Sequence, residues 1–189
     1  MRVVAVAAVL ALVGCANSFD AELKRLEEAE KRPHPLEINA SEVSARTLRE
    51  DDPHRNVITV EAPYIGKENF NSDLAGYRLK ARKTKQSRSN FEVWLVVVTG
   101  ATSWMDFTHA HSFGKSLPVE TSIGTVGSCG QISCKVFETA TVTIPLVDLE
   151  RSLSIGGFEL LLSGGGGKLK MNVPAPYIQG FLKKIKEEK

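Results

Sequence analysis

Between Phe91 and Thr99 the chain is apolar on both parities: Phe91, Val93, Leu95 and Val97 alternate with Trp94, Val96 and Val98. A strand apolar on both sides is expected in the middle of its sheet. The period of two recurs on either side of this run. Tyr77, Leu79 and Ala81 alternate with Arg78, Lys80 and Arg82, the pattern of a half-buried strand. From Cys134 to Ile144, Val136, Ala140, Val142 and Ile144 stand opposite Phe137, Thr139, Thr141 and Thr143. Shorter runs at 56–61, 102–113, 117–123, 158–162 and 169–173 also read as strands. The punctuation between them is a polar stretch at 83–90, Gly100-Ala101, a loop over 124–130 and the glycine turn 164–167.

Helical spacing appears only at the margins. Asn39 and Glu42 are spaced as a capping box for a short turn within 39–49. Pro145 opens a brief helix over 146–153 that ends before Gly156-Gly157. Tyr177, Ile178, Phe181, Leu182 and Ile185 form one apolar stripe among lysines and glutamates, expected to pack on the sheet. The fold class expected is therefore mainly β, an antiparallel sandwich or barrel-like sheet, with a short internal helix and a C-terminal amphipathic helix.

The first residues have a different character. Arg2 precedes an apolar run from Val3 to Val13, too short to cross a membrane but suited to an export signal. The run ends Leu12-Val13-Gly14-Cys15, which resembles the lipobox of bacterial lipoproteins. That resemblance implies removal of residues 1–14, acylation of Cys15 and a membrane partner reached through its acyl chains. Ala16 rather than Asp follows the cysteine, which in that class implies sorting to the outer membrane, with the domain facing the periplasm. Residues 15–52 read as anchor and charged tether: a helical stretch with a Phe19, Leu23, Leu26 seam stops at Pro33-His34-Pro35. Residues 53–189 read as the β-rich domain.

Composition adds limits. With 24 Lys and Arg against 22 Asp and Glu, charge gives no pull toward nucleic acid. If Cys15 is acylated, two of the three cysteines remain, Cys129 and Cys134, an even pair for which an oxidising compartment predicts a disulfide. No cofactor motif occurs. Ser163-Gly-Gly-Gly-Gly-Lys168 lacks both the first glycine and the Ser or Thr of a phosphate loop. No nucleophile elbow, zinc-protease or calcium-loop pattern is present either, so the sequence favours a non-enzymatic envelope module.

Two clusters carry candidate chemistry. His109 and His111 share a strand face and could hold one metal ion, with Asp106 on the opposite parity. They would serve the alternative, a metal-binding protein or small hydrolase using Asp106, His109 and His111. Arg78, Lys80, Arg82, Lys83, Lys85 and Arg88 form the densest basic patch, a binding candidate for an envelope protein, a glycan or an acidic lipid.

Overall fold

In chain order the elements are α1 (Ala40–Arg46), β1 (Leu48–Asp52), β2 (Val57–Glu61), β3 (Ile65–Gly66), β4 (Leu74–Thr84), β5 (Glu92–Ala101), β6 (Phe107–Ser112), β7 (Lys115–Leu117), β8 (Val119–Cys129), β9 (Cys134–Ile144), α2 (Leu146–Ser152) with a 3-10 turn (Leu153–Ile155), β10 (Gly157–Gly164), β11 (Gly167–Pro174) and α3 (Ala175–Glu187). The computed structural model describes residues 39–66, 74–85, 91–129 and 134–187, with the side chains of 123–135 left aside. The expected helix of the tether, Arg88 and Gly130 lie outside the described residues.

The expected antiparallel, mainly β fold is what forms. A seven-stranded sheet runs β1-β2-β4-β5-β9-β8, with β3 beside β4, and a four-stranded sheet runs β11-β10-β6-β7. Every pairing is antiparallel. Strand β5 lies inside the larger sheet, its Leu95 between Leu79 of β4 and Val142 of β9. On the inward face Val93, Leu95 and Val97 join Leu79, Ala81, Ala140 and Val142 in the core. The smaller sheet adds Phe158, Leu160 and Leu162 from β10, and α3 adds the whole of its expected stripe.

Helix α3 packs beside β2 and β4 of one sheet and β10 and β11 of the other. Gly180 lets α1 close on it: a methyl group there would stand 2.6 Å from Val43 Cβ. Asn39 caps α1 by accepting the Glu42 backbone N–H at 2.9 Å. Val43 is fully buried, and β1 pairs with β2 along its length. Residues 40–52, assigned above to the tether, thus belong to the domain. Their charged composition hid this, because β1 is an edge strand whose side chains face water.

Three other boundaries move. Gly100-Ala101 is not a turn: β5 continues to Ala101, where the ladder still pairs it with Val136. Residues 102–106 then leave the larger sheet, and β6 joins the smaller one. The 117–123 run is split at Pro118, and its second part extends as β8 through the expected loop to Cys129. Strand β4 likewise runs on to Thr84, into the stretch expected to be a loop.

Candidate binding face

Crossing between sheets leaves the backbone of 105–107 with three donors, and Glu138 accepts them. Its Oε2 receives Met105 N–H at 2.9 Å and Asp106 N–H at 3.0 Å, and its Oε1 receives Phe107 N–H at 3.0 Å. The side chain is 2 % exposed, a buried charge tolerated because three amides converge on it. Asp106 takes a left-handed conformation, φ 48°, to aim this loop. The tetraglycine turn closes over the same segment: a methyl group at Gly164 or Gly166 would collide with the carbonyl of Asp106 or Trp104. Gly166 N–H also donates to Met105 O at 3.0 Å. These glycines permit close backbone approach, which is their use here. Sequence reasoning passed over Glu138, although it shares the inward parity of Val136, Ala140 and Val142. A charge on a core parity is a signal that could have found it.

The histidines do share a face. His109 stands opposite Ser163, and His111 lies between Leu161 and Ser116, on the outer side of the smaller sheet. A register shift near Thr108 puts Phe107 and Ala110 both inward and leaves His109 and His111 exposed. His109 Nδ1 is 2.8 Å from Thr108 Oγ1. Asp106 precedes the strand, with its carboxylate toward Gly165. Among the described residues no group of three His, Cys, Asp or Glu side chains is placed to hold a metal ion. Cys129 and Cys134 fall directly opposite each other as backbone partners at the end of the β8–β9 ladder.

The basic patch divides. Arg78, Lys80 and Arg82 project together from the outer face of the larger sheet, Lys83 turns to the other side beside the Phe91 ring, and Lys85 pairs with Asp51. Glu61 bridges both Arg78 and Lys80, the latter at 3.1 Å. Arg82 sits 5.3 Å above the Trp94 ring and 3.7 Å from Glu92. Acids thus offset much of this charge, which the linear sequence did not reveal because Glu61 is brought in by β2.

Beside these cations runs an apolar stripe. Trp94, Val96 and Val98 of β5 pair with Thr143, Thr141 and Thr139 of β9, and Phe137 follows opposite Gly100. All of these side chains except Gly100 are half-buried, and among the described residues no helix or strand covers them. The second apolar parity of β5 therefore marks an outer face that, among the described residues, is shielded only by its neighbours. Comparison with protein-family models, with curated proteins and with solved structures found no match to the chain.

Proposed function

We propose that the protein is an envelope lipoprotein, acylated at Cys15, whose domain is a non-enzymatic binding or structural module facing the periplasm. The lipobox-like Leu12-Val13-Gly14-Cys15 and the facing positions of Cys129 and Cys134 support export to an oxidising compartment. The observation that carries the binding reading is the outer face of the larger sheet. Its apolar stripe of Trp94, Val96, Val98 and Phe137, bordered by threonine hydroxyls and a row of acid-paired cations, suits a protein or glycan surface. A polyanion would find most of that positive charge already engaged.

Intact mass of the chain purified from membranes tests the anchor. An acylated chain beginning at Cys15 and two hydrogens lighter for a Cys129–Cys134 bridge is expected; an unprocessed chain sinks the lipoprotein reading. A photo-crosslinking residue at Val96 tests the face in the cell envelope. Specific adducts there and none at the opposite-side position Lys170 are expected. Equal labelling at both positions would remove the argument for a binding face.

A further inference from the structure

The outer side of the helical layer points away from the Trp94 face. Helix α3 turns Tyr177, Ile178, Phe181 and Ile185 toward the sheets, so Gln179, Lys183 and Lys186 face outward. Between α1, α3 and the 3-10 turn lies an open groove of about 680 Å³, lined by Ala40, Leu153, Leu182, Lys183 and Lys186 among others. The α2–3-10 segment that supplies Leu153 also carries Val147 and Ile155, which are 68 % and 60 % exposed. Exposed Arg151 lies between them, and Lys186 pairs with Glu150 at 3.3 Å. Glu187 also lines the groove, but exposed apolar side chains with lysine and arginine beside them are the pattern of a surface that rests in a lipid headgroup region.

We propose that this helical face seats the domain on an anionic bilayer surface, directing the Trp94 face away from the membrane. The seat rests on the lipoprotein reading for its proximity to lipid, and two features select the face. The first is charge complementarity: exposed Lys183 lines the groove and exposed Arg151 stands between Val147 and Ile155, while Lys186 is offset by Glu150, and each cation near an anionic surface strengthens partition about fivefold. The second is where the N-terminal chain arrives. The 23 residues between Cys15 and Asn39 lead to the domain at Ala40, on the rim of the groove. At full extension they would reach roughly 80 Å, so the anchor supplies nearness and the surface chemistry sets the orientation.

The test places an environment-sensitive fluorophore at Ile155→Cys in the full mature chain, with Thr141→Cys on the opposite face as the reference. The chain is bound to phosphatidylglycerol-containing or to purely phosphatidylcholine vesicles bearing a spin-labelled lipid. Quenching at 155 but not at 141, stronger on anionic vesicles and reduced about fivefold in partition by Lys183→Gln, is the expected result. Flotation with the vesicles while both labels stay in water would overturn the seat and leave the anchor standing. A chain lacking the acyl group would sink the anchor instead. Added as a soluble protein, that chain would still support the seat if 155 were quenched on anionic vesicles, and overturn it if not. A concentration-dependent blue shift at 155 without lipid would identify a second copy as the occupant and also overturn the proposal.

Discussion

The two faces of β5 carry almost the same side chains and meet different surroundings. Val93, Leu95 and Val97 point into the core, where at most about one per cent of each remains exposed. Trp94, Val96 and Val98, one residue out of phase, lie half-buried, and among the described residues only their sheet neighbours flank them. Burial free energy follows the area removed from water, so the inward set holds the two sheets and α3 together. The outward set stabilises the fold much less and, in the function proposed above, keeps its apolar area for another surface. What separates the two sets is which elements the rest of the chain folds over them, not hydrophobicity along the strand.

The greatest damage is expected where the inward side is closed by backbone. Gly166→Ala forces a methyl group into the Trp104 carbonyl and should cost at least about 3 kcal/mol, read as a lowered denaturant midpoint. Glu138→Ala leaves three backbone donors without their acceptor and should cost roughly 4 kcal/mol. A loss under about 1 kcal/mol for both would mean that the crossover is not the lock between the sheets.

Substitutions within β5 come next. Leu95→Ala should cost about 3 kcal/mol in urea unfolding, and Val96→Ala, on the same strand, less than about 1. Equal losses would show that the outer face is covered after all. Val96→Arg is expected to leave the unfolding midpoint nearly unchanged while abolishing photo-crosslinks from a neighbouring probe at Val98.

The smallest effects concern the tyrosine pair beneath β4, whose rings meet edge to face at 5.6 Å. Tyr177 donates its hydroxyl to Pro63 O at 2.8 Å and accepts Leu79 N–H at 3.3 Å. The Tyr77 hydroxyl is buried and has no hydrogen-bond partner among the described residues. Tyr177→Phe should therefore destabilise by about 1–2 kcal/mol, and Tyr77→Phe should be neutral or slightly stabilising, as thermal melts would show. Burial raises the pKa of both phenols. Below the ordinary tyrosine value near 10 both states keep these protons and stability is flat. As the pH rises through it, the unfolded chain ionises while the folded one holds its protons, and stability falls. Tyr77→Phe should make that alkaline loss shallower, by about 1.4 kcal/mol per pH unit at most.

Much of this architecture was legible in the chain itself. The Cys134–Ile144 strand, the glycine hairpin and the helix after Pro174 stand where alternation, tetraglycine and the 3.6-residue stripe put them. What escaped was whatever depends on residues far apart in sequence. The passage from β5 to the second sheet was masked because Trp104, Phe107 and Phe113 continue an aromatic alternation through it. The affiliation of 40–52 was masked because Val43 meets its partner only at Gly180. The candidate sites divide in the same way. The histidines share a face, as two-residue spacing requires, but Arg78, Lys80 and Arg82 read as a basic patch until folding brings Glu61 beside them.

The closure of α1 on α3 also ties together two distant parts of the chain. Val43 faces Gly180, so among the described residues α1 finds its main partner in α3, which follows more than a hundred residues later in the chain and is thirteen residues long. Without α3, α1 loses the surface on which Val43 is buried. The two helices thus act as a clasp across most of the domain's length in sequence, and neither is expected to hold its place once the other is removed.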